Sequence, residues 1–224
     1  MEIKVVRQIL EWNENCHDEI HSLLNDKNVL MINVMGSPGG GKTTLIMRLV
    51  ESLKSKYNIG VIEGDIAGVI DAEKIAAMGI HVVQLNTEGA CHIEAMSIKN
   101  ILPQFDLDKI DILIVENIGN LVCPAEFDIG EDLKIALLSV PEGDDKVEKY
   151  PLMFTRSNAL VINKYDMKAY FNFDENRVIK HAKAFNKDLE IFPINSINGD
   201  GFNDFLNFIE KHIKNGSVKC NEQI

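Results

Sequence analysis

Seven short apolar runs, most of them rich in β-branched residues, recur along the chain: Val29 to Met35, Ile59 to Ile62, His81 to Leu85, Ile112 to Val115, Ile135 to Val140, Ala159 to Ile162 and Ile191 to Ile194. Apolar positions at helical spacing fill most of the intervals. Strands that read as unbroken apolar runs and alternate with helices predict an α/β fold, a mainly parallel β-sheet covered by helices on both faces. Ligands of such sheets bind at the carboxyl ends of the strands. The loops that follow the runs are therefore where chemistry is expected. Residues 1–28 lie outside the alternation, with charges interrupting apolar positions at helical spacing. They predict an N-terminal amphipathic helix that packs on the domain or on a partner. A single domain is assigned to 29–215, and the polar stretch 216–224 to a flexible tail.

At 224 residues the chain suffices for one sizeable core. Its 34 acidic and 23 basic residues leave a net charge of −11, which argues against nucleic acid or an anionic membrane as the main partner. No apolar stretch reaches the length of a bilayer span, and a cytoplasmic protein is expected. The four cysteines suggest no disulfide framework; in a reducing compartment each is metal-binding, reactive or buried.

The first run is followed by Gly36, Ser37, Pro38, Gly39, Gly40, Gly41, Lys42 and Thr43, then Thr44 and a helical pattern from Leu45. Strand, glycine-rich loop, Lys-Thr and helix in that order predict a phosphate-binding loop. Glycines turn several N–H groups toward one anion, and the helix presents its positive end to it. Lys42 is expected on the β and γ phosphates and Thr43 on Mg²⁺.

Asn163, Lys164, Tyr165 and Asp166 follow the sixth run in the spacing N-K-x-D. A carboxylate at Asp166 would accept from the N1–H and exocyclic amine of guanine, a donor pair that adenine lacks at that edge. Asn163 and Lys164 would brace the ring and the phosphate loop. Asn195 and Ser196 follow the seventh run, where a loop would close over the base through backbone N–H groups, although Asn-Ser is also ordinary turn chemistry. The fourth run ends in Glu116-Asn117-Ile118-Gly119. Glu116 is a candidate for the Mg²⁺ shell and Gly119 for an N–H to the γ phosphate. Asp65, closing the second strand, and Asp71, opening the next helix, are candidates for positioning water or completing the metal shell; helix capping is the alternative for Asp71. Phosphoryl transfer to water needs chiefly positioning and electrostatics, so these parts suffice for GTP hydrolysis. No arginine finger stands out, and slow turnover is expected.

A second signal lies in Asn86-Thr87-Glu88-Gly89-Ala90-Cys91-His92 and Leu121-Val122-Cys123-Pro124, both on loops at the carboxyl side of the sheet. Two thiolates and an imidazole converging there would suit zinc or nickel. Lone buried cysteines are the alternative. Adjacent Cys91 and His92 share one tetrahedron poorly from regular helix geometry, but a helix N-terminus would permit it and lower the thiol pKa. Cys123 stands seven residues after Glu116, so metal occupancy and γ-phosphate state would be coupled through one short loop.

GSPGGGKTTL, EGD, NTEGACHIEA, ENIGNLVCPAEFDIGE, PEGDDKVEKYP and NKYD together resemble the HypB family of hydrogenase nickel-incorporation GTPases. The resemblance covers nearly everything from Val29 to Asp166 and continues more loosely beyond. It implies a SIMIBI-class P-loop GTPase, a homodimer promoted by nucleotide, and Cys91, His92 and Cys123 as metal ligands near its interface. It further implies a nickel-iron hydrogenase precursor and an accessory nickel chaperone as partners. Many relatives in that family carry cysteine- or histidine-rich nickel-binding stretches ahead of the GTPase domain. Residues 1–28 here hold Cys16, His17 and His21, so no storage function is expected; a weak metal site or a plain polar face are the two readings of that trio. Cys220 reads as a bystander in the tail. A metallochaperone for another nickel enzyme such as urease, or a nickel or zinc store or sensor with nucleotide-controlled dimerisation, are the competing readings.

Met167, Tyr170 and Phe171 follow the base-reading motif at three- and four-residue spacing and predict an apolar patch at a dimer face. Lys146 and Lys149 either reach across to a second subunit or lie on a solvated charged loop.

Overall fold

The computed structural model describes residues 2–65, 68–87 and 89–213. In chain order it forms α1 (Glu2–Asp26), β1 (Leu30–Gly36), α2 (Lys42–Leu53), β2 (Ile59–Asp65), α3 (Ile70–Ala76), β3 (His81–Asn86), α4 (Ala95–Ile101) and β4 (Ile112–Gly119). It continues with α5 (Cys123–Glu126), β5 (Leu133–Ser139), α6 (Lys146–Lys149), α7 (Pro151–Arg156), β6 (Ala159–Asn163), α8 (Glu175–Phe185), β7 (Glu190–Pro193) and α9 (Phe202–His212). The seven strands make one sheet in the order β3-β2-β4-β1-β5-β6-β7, and every pairing is parallel. All seven expected runs are strands.

The pleat of β1 explains the layers. Leu30, Ile32 and Val34 point to one face, where α2 and α9 bury Leu45, Leu49, Phe202, Phe205 and Ile209. Met31 faces the opposite side, beneath Cys16, Ile20 and Leu24 of α1 and Ile98 of α4. Met35 faces that same side farther along, with Phe154 of α7 and Val178 of α8. Helix α1 thus packs on the domain through an i, i+4 apolar stripe. Cys16 is buried in that stripe, so it does not join His17 and His21 on the outer face as a ligand set. The two histidines stack on each other there, each half-buried. The tail 216–224, with Cys220, lies outside the described residues. Among the described residues no helix is long and apolar enough to cross a membrane.

The runs underestimate two strands. β2 continues through Glu63 to Asp65 and β4 through Glu116 to Gly119, because neighbouring backbones hold the ladder after the apolar residues stop. Glu63 pairs in register with Glu116, and Gly119 with Gly36 of β1. Acidic side chains are thereby carried into the sheet's carboxyl edge.

Candidate nucleotide cleft and metal centre

The loop between β1 and α2 arches over an open cleft of about 520 Å³ lined by Gly39, Lys42, Thr43, Glu63, Asp65 and Glu116, among others. Gly41 caps α2 with φ at +102°, a conformation that L side chains rarely adopt, and a Cβ there would meet the Asn163 Nδ2 at 2.4 Å. No other residue fits. Lys42 is buried and turns its ammonium back onto the carbonyls of Gly36 (3.4 Å) and Ser37 (3.3 Å). Burial lowers its pKa, against the opposing pull of Glu116, Glu142 and Glu63.

Thr43, Asp71 and Glu116 meet on the floor of the cleft. The Thr43 hydroxyl lies 3.0 Å from Asp71 Oδ2 and 3.0 Å from Glu116 Oε1. One hydroxyl proton cannot serve two carboxylates. Burial, foremost, pushes Glu116 up to about 7, and burial together with the charge of Glu116 pushes Glu63 up to about 7. One oxygen of each, Glu63 Oε2 and Glu116 Oε2, is buried without a hydrogen-bond partner. A hydroxyl, an exposed-side carboxylate and two orphaned buried carboxylate oxygens form the donor set of a hard divalent cation, and Mg²⁺ fits it. Asp71 sits in the first turn of α3 and does not cap it, since α3 has Val69 at its N-cap and no side-chain cap; its carboxylate accepts from Lys74 and Thr43, which hold its pKa down. Asp65 accepts from the backbone of Gly68 at the cleft's rim. Gly119 packs against Pro38, which a Cβ at Gly119 would meet at 2.7 Å.

Asn163 ties three loops together. Its Nδ2 donates to Gly40 O at 3.0 Å, and its Oδ1 accepts from Ser196 N (3.2 Å) and Ser196 Oγ (2.8 Å). Lys164, with φ at +54°, donates to Gly39 O at 2.7 Å. Beside them a cavity of about 210 Å³ is lined by Thr44, Asp166, Asn195, Ser196 and Ile197. Gly41, Thr44 and Lys164 line both spaces, so a phosphate in the cleft and a base beside Asp166 would belong to one ligand. The loop after β7 differs from expectation. Its N–H groups at Ser196, Ile197 and Asn198 are taken by the side chains of Asn163 and Asn195, so the loop shapes the base cavity through side-chain bracing. Arg48 of α2 holds the same loop through Ser196 O.

Cys91, His92 and Cys123 each offer a ligand atom within 4.8 Å of the others. The two Sγ atoms stand 2.9 Å apart, and Cys91 Sγ is 3.6 Å from His92 Nδ1. Both thiols are free. His92 stacks on Phe127 at 4.0 Å between ring centroids, and burial lowers its pKa, which keeps the imidazole in the neutral form a metal requires. Its Nε2 is buried without a hydrogen-bond partner. The expected placement of Cys91 and His92 at a helix N-terminus is incorrect. They lie on a bend before α4, which starts at Ala95, and freedom from helix geometry is what lets neighbours share a centre. Cys123 does open a helix, the single turn α5, yet its thiol is raised by the hydrogen bond with Cys91, not lowered. Two residues to which sequence reasoning gave no site role complete the picture: Glu63, an acid directly after the second apolar run, and Phe127, whose stacking carried no local signal.

Residues 30–193 match the family described as CobW/HypB/UreG, nucleotide-binding domain. The probable hydrogenase maturation factor HypB of Methanocaldococcus jannaschii is 39% identical over 212 residues, spanning 95% of this chain and 96% of the relative. The crystal structure of HypB from Helicobacter pylori in complex with nickel superposes with a TM-score of 0.83 at 35% identity, covering 92% of this chain and 99% of that one. HypB from Archaeoglobus fulgidus does so with a TM-score of 0.86 at 33% identity, covering 92% and 100%. On a P-loop fold, a shared cleft and near-complete alignment, the chain belongs to the HypB family of P-loop GTPases.

Proposed function

We propose that this protein is a nickel-carrying GTPase that serves as a maturation factor for nickel-iron hydrogenase, with GTP binding and slow Mg²⁺-dependent hydrolysis timing nickel transfer. Nickel is its cargo, held by Cys91, His92 and Cys123; zinc suits the same ligands. The observation that carries this reading is that one element serves both sites. β4 delivers Glu116 to the phosphate cleft and leads within one short loop to Cys123 at the thiol pair.

Within the cleft, the N–H groups of Gly39 to Lys42 and the ammonium of Lys42 cradle the phosphates. Lys42 would exchange its two loop carbonyls for phosphate oxygens. Thr43, Asp71 and Glu116 would hold Mg²⁺, which supplies charge neutralisation on the β and γ phosphates. Asp65, at the rim, is assigned to orienting the attacking water, and Asp166 to selecting guanine.

The exposed Tyr170 (82%) and Phe171 (40%), three and four residues after Met167 of the base cavity's lining, form the proposed face of a nucleotide-promoted homodimer. Met167 backs it from the core. Sedimentation of a Met167→Ala, Phe171→Ala variant is expected to show a monomer where the parent pairs; an unchanged dimer removes this face. Lys149 is paired with Asp145, which favours the solvated reading for that residue. The hydrogenase precursor and an accessory nickel chaperone are the proposed partners, in the cytoplasm.

The test is phosphate release from GTP by purified protein with Mg²⁺, followed by nickel delivery to hydrogenase precursor. Turnover is expected with GTP and not ATP. Absence of phosphate release even with nickel and precursor present would leave a store or sensor.

A further inference from the structure

The segment that leaves β4 does more than connect the two sites. The backbone N–H of Asn120 donates to Gly36 O at 3.1 Å, forming an isolated antiparallel bridge with the first residue of the phosphate loop. The side chain of the same residue works in the other direction. Its Nδ2 donates to Cys91 O at 3.2 Å, and its Oδ1 accepts from Val122 N at 2.8 Å, immediately before Cys123. One residue therefore contacts the phosphate loop through its backbone and both cysteine-bearing loops through its side chain. Asn117 makes a second attachment, since its buried Oδ1 accepts from Ile93 N at 3.3 Å. The bend that presents Cys91 and His92 is thus held at either end by asparagines that bracket Gly119.

We infer that Asn120 is the positioning residue through which the nucleotide state sets the spacing of Cys91 and Cys123, and hence the grip on nickel. This rests on the nickel-GTPase reading above. The physical argument concerns rigidity. Cys91 and Cys123 are 32 residues apart on loops whose thiols are at least partly exposed. The Asn120 amide is a direct polar link between the two loops, and its backbone follows Gly36. A γ phosphate drawing in Gly119 shifts Asn120 with it, and the amide passes that shift to the Cys91 carbonyl and the Val122 N–H together. Removing the amide leaves the bridge to Gly36 intact, so nucleotide binding survives while its message to the thiols is lost.

The experiment is a nickel competition titration with full-length protein loaded with GDP or with a non-hydrolysable GTP analogue. Parent, Asn120→Ala and Asn120→Asp are compared, and GDP affinity is measured on each. The parent is expected to differ at least about fivefold in nickel Kd between the two nucleotides. Asn120→Ala should bring that ratio below about twofold, with GDP affinity within about twofold of the parent. Asn120→Asp keeps the acceptor for Val122 N–H and loses the donor to Cys91, and should fall between them. A parent ratio of one removes nucleotide-gated nickel delivery and the relay with it. A parent ratio retained in Asn120→Ala removes the relay alone. A variant that loses nickel equally in both nucleotide states while keeping the ratio identifies Asn120 as a mere support of the site and likewise overturns the inference.

Discussion

The phosphate cleft and the thiol-imidazole centre share one edge of the sheet but are built on opposite principles. The cleft is assembled from residues that the sheet buries: Lys42, Glu63 and Glu116 are each less than a tenth exposed, and their geometry is held by strand register and by Asn163 bridging loop to loop. The candidate metal centre is assembled from a bend and the first residue of the short helix α5, with Cys91 exposed and His92 and Cys123 half-buried, and is held by a few hydrogen bonds from asparagine side chains and the stack of His92 on Phe127. A phosphate site needs fixed N–H groups and charges at all times. A carrier must also let go, and an exposed, lightly braced ligand set releases what a buried one would retain.

That contrast breaks first at Lys42. Lys42→Ala is expected to lower GTP turnover by about 10³-fold while leaving nickel binding with GDP bound near the parent value, measured by phosphate release and competition titration. Loss of both together would show that the two sites are one cooperative unit. Next in size, Asp166→Asn should weaken GDP binding by about 10²-fold and turn preference toward xanthine nucleotides, whose edge presents an acceptor where guanine presents a donor; fluorescence titration with both nucleotides reads this. Cys123→Ser is expected to cost more than about tenfold in nickel affinity with GDP affinity unchanged.

The smallest effect is on stability. A carboxyl whose pKa is raised in the folded protein binds its proton more tightly there than in the unfolded chain. It therefore favours folding at low pH, and that contribution fades as pH rises through the interval from the ordinary value near 4.5 to about 7. Mg²⁺-free protein should thus lose several degrees of melting temperature between pH 5 and pH 8. Mg²⁺ with GDP should flatten the curve, since an ion held by Thr43, Asp71 and Glu116 takes the place of the proton on Glu116 and, through its charge, lowers the pKa of neighbouring Glu63. A profile equally steep with and without Mg²⁺ would place the cation elsewhere.

The phosphate loop was legible because its parts are contiguous: seven residues after β1 starts, a glycine-rich turn leads into α2, and backbone geometry demands those residue types locally. The base motif was legible for the same reason, and Asn163 does reach the loop. Glu63 was harder to see. Its role comes from pairing with Glu116 across β2 and β4, a register that no local window contains. The helix start expected at Cys91 was misplaced by four residues, because the tie between Asn117 and Ile93 holds the chain in a bend where propensity alone allows a first turn.

Apolar runs and glycine placement in the chain were enough to predict seven parallel strands, the glycine-rich loop that leads into α2 and the Asn163–Asp166 turn beside it, since each depends on neighbours in sequence. Folding alone brought Cys91 within 2.9 Å of Cys123, stacked Phe127 on His92 and set Asn120 between Gly36 and the thiols. Those relations join loops that follow different strands, and only the strand order of the sheet brings such loops together.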